Sequence, residues 1–263
     1  MIAAQRRGLI LDYLRKYGAG SIVDIAEAIG TSRSSTRRDL DFLAADGIVI
    51  RSRGGAVVND QHRTTYEPPQ RVGAKSSHSQ KAAIGRAAAA LLQEGQSVIF
   101  DSSSTVFEAA RAVVEAGIRL TACTNDVGTA QALAASPELQ VVVLGGTVRP
   151  DSMTLIGEPG LNFLERLHVD VAFIGIHSLA GTRLSETSIE VAAMKRRMIE
   201  SAARVVVLAD SSKFTHPAFC DICGIERINI IVTDDGVDAH TRTAISEAGV
   251  EVVIAKPQTR PKM

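Results

Sequence analysis

A length of 263 residues, 29 basic side chains against 29 acidic ones, and three cysteines set the first limits on this chain. No apolar run reaches 18 residues and no basic-then-apolar leader opens the chain, which argues against a membrane span or an export signal. An odd cysteine count without an export signal disfavours a disulfide framework, so we expect a cytoplasmic protein.

Charge is distributed unevenly along the chain. Residues 1–58 carry nine basic and six acidic side chains, a net charge of +3, whereas the remainder carries 20 and 23, a net charge of −3. The length suggests one or two domains. We predict a small basic domain at 1–58, a polar linker at 59–78 that contains Pro68-Pro69, and a larger domain at 79–263.

Three helices are predicted in the first 45 residues, because apolar residues recur there at helical spacing. The first ends near Tyr17-Gly18, and Ser21 is a favourable N-cap for the second. The third follows a turn at Gly30 and runs to about Ala45. Its expected cap is Thr31 or Ser32, and its expected buried side chains are Leu40, Phe42 and Leu43.

The first turns of the third predicted helix are polar and basic, which is typical of a recognition helix that meets base edges in the major groove of DNA. Arginine donates two hydrogen bonds to guanine, and short hydroxyl side chains let the backbone approach phosphates. A basic strand at 48–53 and a glycine turn predict a β-wing. The candidate DNA-binding residues are Ser32, Arg33, Ser34, Ser35, Arg37, Arg38, Arg51, Arg53, Gly54 and Gly55.

The run SSTRRDLDFLAADGIVIRSRGGA, at residues 34–56, resembles the winged helix-turn-helix signature of DeoR-family bacterial transcription regulators. The resemblance implies double-stranded operator DNA as a partner. Thr31 and Thr36 stand where the family usually has aliphatic residues. The base preference of the family is therefore not transferred to this chain.

In residues 79–263, apolar runs alternate with helical patterns, which predicts an α/β fold with a doubly wound, mostly parallel sheet. The predicted strands are 97–100, 120–123, 141–144, 169–174, 205–208, 228–232 and 250–254. The predicted helices are 79–93, 104–116, 126–135, 159–167, 186–202 and 237–248.

Polar residues and glycines follow five of these strands in succession. Ligands of such folds bind beyond the carboxyl ends of the strands, and hydroxyls and N–H groups at a helix N-terminus attract anions. Glycines let the backbone close around a ligand, and a lysine neutralises a phosphate. The five strand ends therefore predict a pocket for a small phosphorylated polyol.

The segments VIFDSSSTVFEAA, CTND, VVVLGGTVR, DVAFIGI, IEVAAMKRRMI and VVVLADSSKF, in that order, resemble the DeoR-family effector domain, which is similar in fold to ribose-5-phosphate isomerase. The resemblance implies a repressor of a carbohydrate-use operon, and a phosphorylated sugar or polyol is expected to relieve the repression. A dimer or tetramer is expected on repeated half-sites. The implied effector contacts are Asp101, Ser102, Ser103, Ser104, Thr105, Asn125, Gly145, Gly146, Glu190, Lys195 and Lys213, with His177 as either a contact or a structural histidine.

Three other features have simpler interpretations. Cys220 and Cys223 have the spacing of a redox or zinc pair, but no second pair lies nearby, so we interpret them as packing residues. The run Lys195-Arg196-Arg197 is typical of a solvated helix face or a subunit contact. A sugar-phosphate isomerase or deaminase is the rival function, with Asp101, Asp126, Asp170 or Glu190 as the base. No matched acid–base pair supports it, so we expect no catalytic residue, cofactor or metal.

Overall fold

The computed structural model describes residues 2–46, 48–58, 64, 77–150 and 152–256. The chain divides into two compact units, Met1–His78 and Ser79–Met263. Of the predicted linker at 59–78, only Thr64, Ser77 and His78 belong to the described residues.

Within its described residues, the first unit contains three helices and a three-stranded antiparallel sheet with the order β1-β3-β2. The Ser21 side chain accepts a hydrogen bond from the Asp24 N–H, and the Ser32 side chain accepts one from the Ser35 N–H, so both helices begin at predicted caps. The elements are α1 (Ala3–Tyr17), β1 (Ala19–Ser21), α2 (Ile22–Ala28), α3 (Arg33–Ala45), β2 (Val49–Ser52) and β3 (Gly55–Val58).

The core of the first unit contains Leu40 and Leu43 of α3 but not Phe42. Leu40 and Leu43 are three residues apart and share one face of the helix, whereas Phe42 lies beside that face. The Phe42 side chain is 45% exposed, and the Arg7 guanidinium carbon lies 3.4 Å from the centroid of its ring. The prediction that Phe42 is buried was therefore wrong.

The second unit is built on a seven-stranded sheet with the order β15-β14-β12-β9-β4-β5-β6, in which every pair is parallel. All seven predicted strands belong to this sheet, and the predicted doubly wound fold is confirmed. Its strands are β4 (Ser97–Phe100), β5 (Leu120–Thr124), β6 (Leu139–Val143), β9 (Val169–Gly175), β12 (Ala202–Leu208), β14 (Ile230–Asp234) and β15 (Glu251–Ala255).

Helices cover both faces of this sheet, because successive side chains of each strand point to opposite faces. In β4, Val98 and Phe100 pack in one apolar cluster and Ile99 packs in the other. The first cluster contains residues of α4 (His78–Ala89), α5 (Ser104–Ala116) and α6 (Val127–Leu133). The second contains residues of α7 (Gly160–Leu164), α8 (Ile189–Glu200) and α9 (Ala239–Glu247).

Two small antiparallel sheets were not predicted. The first pairs β7 (Thr147–Val148) with β8 (Leu155–Ile156), and the second has the order β10-β11-β13. The strands of the second are β10 (Ser178–Ala180), β11 (Arg183–Glu186) and β13 (Cys220–Gly224). These strands are short and lack the continuous apolar runs by which the strands of the large sheet were predicted.

The cysteines lie in strands as free thiols. Cys123 is buried in β5, and burial raises the pKa of its thiol to about 12. Cys220 and Cys223 of β13 are partly buried and pack against the apolar core, in agreement with a packing role. Among the described residues, no cluster of His, Cys, Asp or Glu is arranged to hold a metal, and no helix is long and apolar enough to cross a bilayer.

Candidate DNA interface and candidate effector site

The solvent-facing side of α3 carries the basic residues that were predicted to bind DNA. Arg33, Ser34, Arg37 and Arg38 are exposed, and Ser35 is partly buried next to the Ser32 cap. Thr36 lies on the opposite side, fully buried, and its hydroxyl donates to the Ser32 carbonyl at 3.2 Å. The exposed arginines form a positive surface along one side of the helix.

A buried ion cluster, which sequence analysis missed, ties α3 to α1. The Asp39 side chain is 2% exposed and accepts from Arg6 Nε at 2.5 Å and from Arg7 Nε at 3.0 Å. Asp39 lies three residues after Thr36 and four before Leu43, on the buried stripe of α3. The cluster fixes the recognition helix against the first helix, and we call it the Asp39 cluster.

The wing residues divide into structural and exposed ones. Arg51 pairs with Asp41 of α3 at 3.0 Å and donates to the Gly55 carbonyl at 2.8 Å, so it holds the wing against the helix. Gly54 has a φ of +86°, and a Cβ at Gly55 would lie 2.2 Å from the Gly20 carbonyl oxygen. The two glycines therefore permit the turn and the close approach of β3 to β1. Arg53 is exposed.

In the second unit, the parallel register brings several predicted effector residues to one edge of the sheet. Phe100 of β4 pairs with Thr124 of β5 and with Phe173 of β9. The Asp101 carboxylate is buried and accepts from the N–H groups of Ser103 and Gly175, both at 2.8 Å. Asp101 thus connects the ends of β4 and β9.

Lys195 of α8 is buried against this edge, which corrects its assignment to a solvated charge run. Its ammonium group lies 3.3 Å from Asp101 Oδ2, donates to the Gly175 carbonyl at 2.8 Å and forms a short ion pair with Glu186. Glu186 of β11 was not predicted as a site residue. We call Lys195, Asp101 and Glu186 the Lys195 cluster.

Electrostatic interactions keep Lys195 and Glu186 charged. Burial alone would lower the pKa of Lys195, but the Glu186 and Asp101 carboxylates outweigh it and raise that pKa above its usual range. Burial would raise the pKa of Glu186, but Lys195, with a smaller contribution from His177, lowers it overall. The cluster carries one cation and two anions.

The serine-rich turn after Asp101 begins α5. Ser103 is the N-cap, with a φ of −81°, and its hydroxyl oxygen accepts from the Val106 N–H at 3.3 Å. An added Cβ at Gly175 would lie 2.0 Å from Ser103 Oγ, so Gly175 leaves the space that this side chain occupies. With this φ and this space, Ser103 is accommodated without backbone strain. Ser102 and Ser104 are partly buried and Thr105 is buried.

Asn125 and Asp126 follow β5 at the same edge and are buried. The Asn125 amide donates to the Leu155 carbonyl at 3.0 Å. Asp126 caps α6, and Oδ1 accepts from the N–H and hydroxyl of Thr129. Asn125 Oδ1 and Asp126 Oδ2 have no donor among the described residues. Burial raises the pKa of Asp126, against the hydrogen bonds from Thr129 that lower it, and the Asp101 charge adds a smaller increase.

Gly145 and Gly146 follow β6 and lie in close backbone contacts. Added Cβ atoms would lie 2.8 Å from the Pro159 ring and 2.6 Å from the Ile156 carbonyl oxygen, respectively. These contacts explain the glycines by packing alone. Their role toward an effector stays a prediction.

A second charged group lies beyond β12. Asp210 is buried, which alone would raise its pKa, but Lys213, a hydrogen bond from Ser212 and Lys81 lower that pKa overall. Lys81 of α4 is itself only 4% exposed and was not predicted. Lys213 is partly buried. This group adds two cations to the carboxyl side of the sheet.

His177 and Glu190 differ in their surroundings. His177 is partly buried and close enough to Glu186 to affect its pKa, whereas Glu190 is exposed and accepts from the Ser188 hydroxyl at 2.7 Å. Asp170, a candidate base for the rival enzyme, lies near the start of β9, where it accepts from the N–H and hydroxyl of Ser97. It is therefore far along the strand from the carboxyl edge.

Comparisons with known proteins give a family match for each part of the chain. Residues 6–62 match the DeoR-like helix-turn-helix domain, and residues 76–235 match the DeoR C terminal sensor domain. The chain is 33% identical over 262 residues to the HTH-type transcriptional regulator GlpR of Haloferax volcanii, covering 96% of this chain and 98% of the relative. It is 29% identical over 256 residues to the HTH-type transcriptional repressor GlcR of Bacillus subtilis, covering 97% and 98%.

Among solved structures, ribose 5-phosphate isomerase A from Methanocaldococcus jannaschii is similar, with a TM-score of 0.40 and 19% identity. The match covers 53% of this chain and 56% of that chain. The domain matches, rather than this limited similarity, identify the chain as a regulator and not an enzyme.

Proposed function

Because the chain belongs to the DeoR family of DNA-binding transcription regulators, we propose that its second unit binds a phosphorylated sugar or polyol and thereby switches operator affinity. The observation that carries this proposal is the carboxyl edge of the parallel sheet. There, the N-terminus of the 13-residue helix α5 lies beside the buried side chains of Asp101, Asn125 and Lys195. A helix N-terminus attracts the phosphate, and buried polar groups select the rest of the ligand.

The proposed effector contacts bind different parts of the ligand. Hydroxyls and N–H groups at Ser102–Thr105 receive the phosphate, and Lys213 adds a positive charge. Asn125 contacts the sugar hydroxyls, and Gly145-Gly146 lines the edge of the site. Asp101 and Lys195 are engaged with each other, so they shape the site through the Lys195 cluster. His177 lies beside that cluster, whereas the exposed Glu190 is the most peripheral of the contacts.

On DNA, the exposed residues of α3 enter the major groove and Arg53 of the wing reaches the backbone. Arg33, Arg37 and Arg38 supply base and phosphate contacts, with Ser32, Ser34 and Ser35 near the phosphates. Arg51, Gly54 and Gly55 keep the wing in position for these contacts. One helix-turn-helix reads too few base pairs for genomic specificity, so we propose a homodimer or homotetramer on repeated half-sites.

The proposed regulation is repression of a carbohydrate-use operon, relieved by the effector in the cytoplasm. Support for repression comes from the family and from the relative named as a transcriptional repressor. An effector that binds the low-affinity state more tightly shifts the population toward that state. Operator affinity then falls by the coupling free energy between the two sites.

Operator binding with and without candidate effectors tests the proposal. The full chain would select its operator from random double-stranded DNA, and binding to that operator would be titrated against a panel of pentose, hexose and alditol phosphates. We expect one class to change operator affinity by about 5- to 150-fold. A panel-wide lack of response, together with retained DNA binding, would contradict the effector proposal and leave the DNA-binding assignment intact.

A further inference from the structure

Two buried oxygen atoms at the carboxyl end of β5 have no donor among the described residues, namely Asn125 Oδ1 and Asp126 Oδ2. The two residues are 2% and 3% exposed. Folded proteins pair nearly all buried polar atoms, so two adjacent exceptions require an explanation. The simplest explanation is that a bound molecule supplies the hydrogen-bond donor at this place.

The remaining polar atoms of both side chains hold these two oxygens in place. Asn125 Nδ2 donates to the Leu155 carbonyl, so exchanging the amide nitrogen and oxygen would lose that bond. Asp126 Oδ1 accepts from the Thr129 N–H at 2.7 Å and from its hydroxyl at 3.0 Å. The side chain that caps α6 therefore keeps its second oxygen unpaired.

The two oxygens belong to the candidate effector site. Because Phe100 pairs with Thr124 across β4 and β5, Asn125 and Asp126 emerge beside Asp101. The Asp101 charge also reaches Asp126, since it contributes to the raised pKa of that carboxyl after burial. A ligand on the carboxyl edge thus meets both acceptors.

We propose that Asp126 is a specificity-determining residue that, with Asn125, accepts hydrogen bonds from hydroxyl groups of the effector. The inference rests on the proposed function of this site. A hydroxyl brings the donor that each oxygen lacks, whereas a phosphate brings acceptor oxygens and a negative charge that the Asp126 carboxylate repels. The phosphate therefore lies toward α5, and the hydroxyl-bearing carbons lie toward β5.

Isothermal titration of the full chain with glucitol 6-phosphate, ribose 5-phosphate and inorganic phosphate tests this inference. Asp126→Asn keeps an oxygen to cap α6 but replaces the unpaired acceptor with a donor. Asp126→Ser keeps a capping hydroxyl and removes the second oxygen altogether. The matched control is Asp238→Asn, because Asp238 caps α9 by accepting from the N–H and the hydroxyl of Thr241, but on the exposed surface and with both oxygens paired.

We expect both Asp126 variants to bind the hydroxylated phosphate preferred by the wild type roughly 10- to 100-fold more weakly. The Asp238 variant should bind it unchanged, and all variants should keep the far-ultraviolet circular dichroism of the wild type. Wild-type affinity in both Asp126 variants would overturn this inference but would leave the sensor proposal intact. Absence of wild-type binding to both hydroxylated phosphates would overturn the inference and count against the sensor proposal as well.

Discussion

The two buried ion clusters have opposite compositions, and the difference relates to where each lies. The Asp39 cluster places one carboxylate between two arginines whose side chains are 17% and 22% exposed. The Lys195 cluster places one ammonium between two carboxylates, and all three side chains are at most 8% exposed. The first therefore leaves excess positive charge near water beside the recognition helix, whereas the second encloses excess negative charge.

Ion pairs of similar geometry therefore differ in the free energy lost when one partner is removed. Arginines at the surface regain water when their partner is lost, so their charge is not stranded. Carboxylates enclosed by protein have no such alternative, and removing the lysine leaves them uncompensated. We expect the Lys195 cluster to dominate the stability of its unit and the Asp39 cluster to have a smaller effect.

Lys195→Met gives the largest expected effect, because it strands Asp101 and Glu186. We expect a loss of about 3–5 kcal/mol in the free energy of unfolding of the second unit. Denaturant unfolding followed by circular dichroism measures it. The chain has no Trp, and its three Tyr residues lie at 13, 17 and 66, so tyrosine fluorescence reports only on the first unit and should be unchanged.

Arg197→Met is the control for Lys195, since Arg197 lies on the same helix but is 44% exposed in its pairs with Glu165 and Glu200. It should cost less than about 1 kcal/mol. Adding Glu186→Gln to the Lys195 variant should recover part of the stability, because only one carboxylate then stays unpaired. Equal stability of the Lys195 and Arg197 variants would refute the enclosed-charge argument.

Replacing Arg37 and Arg38 with Ala should weaken DNA binding while leaving the adjoining Asp39 cluster in place. Each good base contact contributes about 1–3 kcal/mol, and each lost phosphate contact reduces the salt dependence by about one counterion. Fluorescence anisotropy on the selected operator at several salt concentrations measures both quantities. Arg119→Ala, which removes a 72% exposed charge from the second unit, is the control. Unchanged affinity of the double variant would mean that α3 is not the recognition helix.

Asp39→Asn should destabilise the first unit by about 1–2 kcal/mol, since it keeps one acceptor and leaves two arginines that water can solvate. The transition seen by tyrosine fluorescence measures it, and Asp41→Asn, at a side chain 58% exposed, is the control. A loss as large as that of Lys195→Met would remove the proposed distinction between the two clusters.

Sequence patterns predicted the framework of both units well. Caps at Ser21 and Ser32, and all seven strands of the large sheet, followed from local propensity and periodicity, which depend on neighbouring residues. The pocket edge followed from the rule that parallel strands end together. Lys195 was misread because it stands within a run of charge, and Asp39, within another, was not singled out.

A signal for these buried charges was nevertheless present. Lys195 lies four residues after Val191 and three before Met198, both buried, so it occupies the apolar stripe of its helix. Asp39 likewise lies between the buried residues Thr36 and Leu43 on one helix face. Lys81 lies on the same helix face as the buried residues Ile84 and Ala88. A charge on an apolar stripe predicts a buried partner, but the partner's identity depends on tertiary contacts. The Glu186 strand could not be found this way, because it is four residues long and has no continuous apolar run, although it pairs with nearby β10 as well as with β13.

The smallest expected effect concerns Asp126, which has no cation partner among the described residues and so contrasts with both clusters. Its raised pKa means that the folded state binds its proton more tightly than the unfolded state does. Stability is therefore lost as pH rises from the usual carboxyl range through the raised pKa. Asp126→Asn removes this penalty and should raise Tm by roughly 2 °C or less at pH 7.

At pH 4 the gain should shrink, because a protonated Asp126 is as neutral as the amide that replaces it. Differential scanning calorimetry of the two proteins at both pH values measures the change. Asp238→Asn should change Tm at pH 7 in the opposite direction. A hydrogen bond from Thr241 lowers the pKa of the Asp238 carboxyl, so its charged form is the favoured one. A lower Tm for Asp126→Asn at pH 7 would show that the Asp126 charge stabilises the fold, as the charges of the two clusters do.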